Sequence, residues 1–280
     1  MKTIKIAALA LCAALLLSGC ISKDDPVPDP TPDNSVSSLD PDVGAAAGQG
    51  DITKLDTAKQ GWGQGKETDD DGVPLSCIQF NEKYQKYDAV FVNRKEKTIC
   101  LTFDQGYENG YTAPILDTLK QKQVSAVFFL TYEYVKSEPQ LIQRMVDEDH
   151  VLGNHSTSHK SFPTLSADRV IDDIVFLHDQ VKTQFDADIT LFRFPMGEFS
   201  EQNLALIQSY GYKSIFWSFA YKDWLTDAQP DPAASLQKLK DSLHPGAIYL
   251  LHSVSSTNAQ ILGDFIDYAR EQGYRFTTAV

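Results

Sequence analysis

The sequence predicts an α/β fold built on a parallel sheet, open or closed into a barrel. Short apolar runs bounded by polar, Gly or Pro residues alternate repeatedly with helix-period segments. The runs are apolar on both faces, as parallel strands covered on both sides tend to be. A chain of 280 residues, 42% hydrophobic and 22% charged, can build one good core or two small ones, which excludes a disordered or fibrous protein.

Each element has its own signal. Residues 98–103 (TICLTF), 125–130, 189–194, 213–218 and 247–251 read as buried strands, and Val151-Leu152 is a shorter apolar pair. Between them, residues 112–122 and 137–149 have helical character, the latter with Pro139 in its first turn. Ser166 is an N-cap, and Val170, Ile174, Leu177, Val181 and Phe185 then recur along one helical stripe. Ser200 caps a segment carrying Leu204 and Ile207 that stops at Gly211; Ile261, Phe265 and Tyr268 precede Gly273 in the same way. Residues 61–97, with Trp62, Phe80, Tyr84 and Tyr87, are too aromatic for a linker and are expected to pack on the same domain.

The N-terminus reads as an address. Lys2 and Lys5 precede an apolar run too short to span a bilayer, ending in Leu17-Ser18-Gly19-Cys20. Residues 1–19 are thus a signal peptide. The ending resembles a bacterial lipobox, which implies diacylation of Cys20 as the sole membrane anchor and an extracytoplasmic location; an ordinary cleaved signal is the alternative. Residues 20–60 read as a disordered tether, with five prolines (Pro26, Pro28, Pro30, Pro32, Pro41) and eight Asp against three Lys. The folded domain is expected over 61–280. A net charge of −13 sets nucleic acid aside as a partner. Of four cysteines, Cys77 and Cys100 are the mature thiols besides Cys20; export allows a disulfide between them, while the mid-strand place of Cys100 equally suits a buried free thiol.

In α/β folds reactive groups gather at the C-terminal ends of strands. There this sequence places Asp104-Gln105-Gly106-Tyr107, Gly153-Asn154-His155-Ser156-Thr157-Ser158-His159, Arg193-Phe194-Pro195-Met196-Gly197, Asp223-Trp224 and Leu250-Leu251-His252. Singly these are weak signals: an Asp after a strand is often a turn residue, and histidines at i and i+4 can share one helical face by chance. Together, two His as neutral ligands, an Asp base, an Arg, a further His and a second Asp supply the parts for metal-assisted hydrolysis.

In this order the blocks resemble the polysaccharide deacetylase family, the NodB-homology domain of carbohydrate esterases. Its Thr-Phe-Asp-Asp-Gly, His-x-x-x-His, Arg-x-Pro, Asp-Trp and Leu-x-His motifs match Thr102 to Gly106, His155 to His159, Arg193 to Pro195, Asp223-Trp224 and Leu250 to His252, covering residues 98–280. The runs TICLTFDQGYENGYT (98–112), Phe216-Trp217-Ser218 and HPGAIYLLH (244–252), with Trp62-Gly63 and FNEKYQKYD (80–88), are similar to the delta-lactam-biosynthetic branch, which removes acetyl from muramic acid in peptidoglycan.

The resemblance implies a distorted (β/α) barrel with fewer than eight parallel strands. By position it implies Asp104 as general base paired with Arg193, His252 as general acid oriented by Asp223, and the Met196 N–H in the oxyanion hole. Trp224, Leu250 and Tyr107 would line the substrate pocket, and His155 and His159 would hold a divalent metal, zinc before manganese or magnesium. The family's second Asp, a metal ligand, is Gln105 here, which implies weaker or altered metal binding; the muramic-acid branch also tends to lack that Asp. The expected activity is N-deacetylation of a peptidoglycan glycan strand by a monomer, with a role in spore cortex implied by the branch. N-acetylglucosamine or chitin deacetylation and xylan de-esterification are alternatives in the same class. A non-catalytic glycan-binding lipoprotein is the alternative outside it.

Overall fold

The computed structural model describes residues 52–93 and 97–280; the signal, Cys20 and most of the tether lie outside the described residues. Among the described residues eleven strands occur: β1 Gln60–Gly61, β2 Ala89–Val90, β3 Thr98–Gln105, β4 Val127–Leu130, β5 Val151–Asn154, β6 Leu191–Phe192, β7 Glu198–Phe199, β8 Lys213–Ile215, β9 Phe219–Ala220, β10 Ala247–His252 and β11 Arg275–Phe276. The α-helices are α1 Leu75–Tyr84, α2 Thr112–Lys122, α3 Tyr132–Ser137, α4 Pro139–Asp147, α5 Ala167–Phe185, α6 Glu201–Ser209, α7 Pro232–Asp241 and α8 Ser256–Glu271.

One parallel sheet runs in the order β2-β8-β6-β5-β4-β3-β10-β9, and β11 pairs with the start of β3. β8 lies next to one end of this order and β9 forms the other, yet only Phe216, Trp217 and Ser218 separate them. Four Cα steps reach at most about 14 Å, so the sheet must curl until its ends nearly meet. A hydrogen bond from Asn93 N, just past β2, to Gly246 O, just before β10 (2.9 Å), stitches across the seam. This is the distorted barrel, with five strands of three or more residues extended by two-residue segments.

The curl creates two apolar compartments. Ile99, Leu101 and Phe103 of β3, with Ala247, Tyr249 and Leu251 of β10, face outward into the large core beneath the helices. Alternation turns Cys100, Thr102 and Asp104 the other way. Cys100, Val127, Phe129, Ile215 and Ile248 form a small separate cluster on the barrel floor, with Val280 packed against it. Cys77 belongs to the outer core and Cys100 to the inner cluster, so both are free thiols, and burial pushes each up to about 12. Of the two readings of these cysteines, the buried free thiol holds.

The helix caps follow the sequence closely. Ser166 Oγ accepts from Arg169 N at the start of α5, and Ser200 forms a reciprocal capping box with Asn203 on α6. The helix expected over 137–149 is α4, with Pro139 in its first turn as expected; the short α3 precedes it and ends at Ser137, and Glu138 (φ −123°, ψ 45°) separates the two because a residue preceding proline disfavours helical geometry. The aromatic extension joins the barrel itself, since β2 pairs with β8, while Trp62 Nε1 donates to Trp217 O at 2.9 Å. Packing also begins before residue 61: Ile52 and Leu55 lie against the core and Gln60 pairs with Phe199, so residues 52–60 belong with the domain rather than the tether.

Gly153 of β5 shows how tightly the interior is fitted. A Cβ there would lie 2.5 Å from the Phe129 ring and 3.2 Å from Leu191 O. Gly153→Ala should therefore destabilise the fold by roughly 1–3 kcal/mol through overpacking. A lower urea midpoint at unchanged slope is the expected result; an unaltered midpoint would contradict the packing described.

Candidate active site

Parallel pairing brings the motif residues to one mouth of the barrel. Asp104 ends the inward face of β3, and its direct partner across the ladder is His252 at the end of β10. His155 follows β5, with its N–H bonded to Leu130 O at 2.8 Å, and Arg193 follows β6, bonded through its N–H to Asn154 O at 2.9 Å.

Arg193 is wholly buried, and every nitrogen of its guanidinium is hydrogen-bonded. Nη1 donates to Asp104 Oδ1 (2.8 Å) and Thr102 Oγ1 (2.7 Å), Nε to Ile215 O (3.0 Å) and Nη2 to Phe216 O (3.1 Å). The Phe129 ring lies 4.2 Å from its Cζ. Burial alone would raise the Asp104 carboxyl, but Arg193, with His155 and His252 nearby, outweighs it and holds the group below its usual range.

The second pair has the opposite bias. His252 Nδ1 lies 2.7 Å from Asp223 Oδ1, and the His252 N–H donates to Asp223 Oδ2 at 2.9 Å. Burial would lower the imidazole, but the Asp223 charge and hydrogen bond prevail and raise it. The surroundings thus favour the ionised form of one group and the protonated form of its neighbour.

His155 Nδ1 lies 2.9 Å from Arg193 O, which can only accept, so the proton sits on Nδ1 and the Nε2 lone pair is free. Burial, opposed by Asp104, pushes this imidazole down to about 4. Its Nε2 faces Asp104 Oδ2 at 3.4 Å: two lone-pair atoms with no proton between them, an arrangement that suits a cation. His159 stands edge-on at 4.9 Å between ring centroids. The two histidines meet across a loop rather than on a helical face, because Ser156 (φ 76°) and His159 (φ 49°) adopt left-handed conformations. Gln105 Nε2 donates to Ser253 Oγ at 2.5 Å, leaving Oε1 buried without a hydrogen-bond partner. Among the described residues no group of three or more His, Cys, Asp or Glu is arranged as a metal site; the available donors are two imidazoles and amide or carboxylate oxygen.

The loop carrying the histidines is held from below. Asp173 on α5 accepts from Thr157 N (2.7 Å), Ser158 N (3.1 Å) and Ser158 Oγ (2.6 Å), while Asn154 Oδ1 accepts from Ser156 N at 2.8 Å. Asn154 belongs to the polar block read from the sequence, whereas Asp173 was not anticipated. An acidic residue beside the apolar Ile174 of the α5 stripe is the signal that would have found Asp173.

The large apolar residues exposed among those described are Tyr107, Met196 and Trp224, all on loops of this mouth. Trp224 stands 5.5 Å from the His252 ring, and Tyr107 OH donates to Trp224 O at 3.4 Å. Met196 sits on a tight turn after β6 in a left-handed conformation (φ 58°). Leu250 shares the inward face of β10 with His252.

A barrel mouth pairing an Arg-held carboxylate with an Asp-held imidazole defines a hydrolase that moves protons to and from water and a leaving group. Residues 91–215 match the family model described as polysaccharide deacetylase. Over 205 residues the chain is 44% identical to PdaA of Bacillus subtilis, a peptidoglycan-N-acetylmuramic acid deacetylase, covering 72% of this chain and 78% of that one. It is 30% identical to a Bacillus cereus peptidoglycan-N-acetylglucosamine deacetylase over 196 residues, covering 67% and 88%. The solved structure of B. subtilis PdaA, described as a family 4 carbohydrate esterase, matches with a TM-score of 0.75 at 41% identity across 80% of this chain and 96% of that one. The chain belongs to the polysaccharide deacetylase family, and it is a hydrolytic deacetylase.

The Arg193–Asp104 pair makes a pH-dependent stability prediction. Folding lowers the Asp104 pKa, so the pair's contribution is present above the unfolded value of about 4 and lost as pH falls through the lower folded value. Arg193→Met leaves a buried unpaired carboxylate and should cost about 3–5 kcal/mol at pH 7. Acidification neutralises that carboxylate, so the gap between variant and parent should shrink toward pH 4. Urea unfolding at both pH values checks this; a gap that is constant or grows on acidification would contradict it.

Proposed function

We propose that the protein removes the N-acetyl group from muramic acid residues of peptidoglycan. Its likeness to PdaA supports the substrate, and the side-by-side register of Asp104 and His252 carries the chemistry. Asp104, kept ionised by Arg193, takes a proton from the attacking water. The developing oxyanion is met by the backbone N–H of Met196, on the turn after β6. His252, kept protonated by Asp223, donates to the departing amine nitrogen, so water and amide become acetate and amine. Trp224, Tyr107 and Leu250 wall the pocket that receives the acetyl and sugar groups.

His155 and His159 would hold a divalent ion, with the Gln105 carbonyl oxygen and water completing its shell. Two imidazoles with neutral oxygen suit a borderline ion, zinc before manganese or magnesium. Such an ion, when bound, polarises the amide carbonyl and acidifies water. With Gln105 in place of a carboxylate the site is one negative charge poorer, and weaker metal retention is expected.

The lipobox-like ending at Cys20 supports a lipid-anchored protein working outside the membrane on the cell wall.

Acetate release from purified peptidoglycan, with and without stem peptides, tests this reading, with muropeptides resolved by mass spectrometry. Chelation should suppress release and a restored divalent ion should recover it, with deacetylation on muramic residues. Asp104→Asn should lower kcat by about 10²–10⁴-fold. Acetate lost from glucosamine instead would move the specificity to that sugar, and glycan binding without any release would make the protein a binding module. Asp223→Asn should move the alkaline limb of the kcat/KM profile to lower pH, because the imidazolium loses its counter-charge; an unmoved limb would remove His252 from the acid role.

A further inference from the structure

One buried side chain outside the motifs touches both members of the His252–Asp223 pair. Asn258 lies in the first turn of α8 and is 1% exposed. Its Nδ2 donates to Asp223 Oδ2 at 2.6 Å and to the carbonyl oxygen of His252 at 3.1 Å. Its Oδ1 accepts from the hydroxyl of Tyr221. Its backbone N–H is bonded to Ser255 Oγ at 3.1 Å, which pins the start of the helix.

These contacts dictate how the amide must face. An ionised carboxylate only accepts, so the NH₂ end must point at Asp223 and the carbonyl end at Tyr221. Burial keeps the Tyr221 hydroxyl protonated and able to donate. Asp223 then has a full set of partners: His252 Nδ1 on Oδ1, with His252 N and Asn258 Nδ2 on Oδ2. Asp104, Arg193 and Asp223 are the charged groups that act on the His252 ring, and Trp224 covers it. Of these, only Asp223 bonds to its Nδ1.

We infer that Asn258, oriented by Tyr221, is a positioning residue for the general acid: it locks Asp223 in the rotamer that holds His252 toward Asp104 and ties the end of β10 to α8. The inference rests on the proposed role of His252. An apolar side chain of similar size would leave Asp223 Oδ2 and the His252 carbonyl oxygen with one donor each, from His252 N and Ser255 N, and would take from the Tyr221 hydroxyl the acceptor it has in Asn258.

The test is steady-state acetate release by the full chain with Asn258→Ala, Asn258→Asp and Tyr221→Phe, beside His252→Ala, each checked for an intact fold by near-ultraviolet circular dichroism. Asn258→Ala should lower kcat about tenfold or more, a part of what a general acid contributes, with KM little changed. Tyr221→Phe, the mildest change, should lower kcat severalfold. Asn258→Asp sets two carboxylates against each other at hydrogen-bond distance, so they share a proton at low pH and repel once it is lost. At low pH the shared O–H replaces the missing N–H donor. Relative to the parent, Asn258→Asp should therefore keep more activity than Asn258→Ala at the acid end and lose that advantage as pH rises.

A merely structural asparagine would not produce this crossing. Parental kcat in folded Asn258→Ala and Tyr221→Phe, or losses that run parallel in pH for the Ala and Asp variants, would overturn the inference while leaving the acid role intact. Turnover retained by His252→Ala would overturn the role of His252 itself, and the inference with it.

Discussion

The site depends on one buried cation. Arg193 has no exposed surface, and its guanidinium spans the barrel from Thr102 and Asp104 on β3 to the carbonyls of Ile215, which ends β8, and Phe216 just after it. Its own carbonyl sets the tautomer of His155, and its N–H bonds to Asn154, the residue before that histidine. One residue therefore fixes the charge of one functional group and the free lone pair of another. A buried ion pair adds little net stability over an apolar substitute of the same shape, but loss of one partner is costly. The interior is accordingly built around it, with Phe129 packed over the guanidinium and Gly153 leaving room for Phe129.

The barrel's register does the rest. Parallel pairing sets Asp104 and His252 opposite each other on neighbouring strands, and the environments push them apart in protonation. A basic partner lowers the carboxyl and an acidic partner raises the imidazole, the separation that the proposed base and acid require at one pH. Third groups steady both pairs: Thr102 beneath Arg193, and Asn258 beneath Asp223. The loop of His155 and His159 is held by Asp173 and Asn154, so its left-handed residues keep their place.

Much of this was legible in the sequence because local chemistry and global fold agree. Ser166 and Ser200 are good caps followed by apolar stripes, and both helices begin where those residues place them. The reactive residues end apolar runs, and parallel strands gather such ends at one mouth. What was not legible depends on neighbours distant in the chain. The two thiols are separated by the wall of the sheet, an inside-versus-outside fact that mid-strand position alone leaves open. The holders Asp173 and Asn258 come from helices that carry no motif, and their roles emerge only once α5 and α8 are packed on the barrel.

The central claim, that Arg193 and Asp223 impose opposite protonation states across the mouth, is most directly tested by nitrogen-detected NMR of the histidine side chains. In metal-free protein just above pH 6.5, His252 should carry protons on both ring nitrogens while His155 is neutral with its proton on Nδ1. A neutral His252 under those conditions, or a His155 protonated on Nε2, would contradict it.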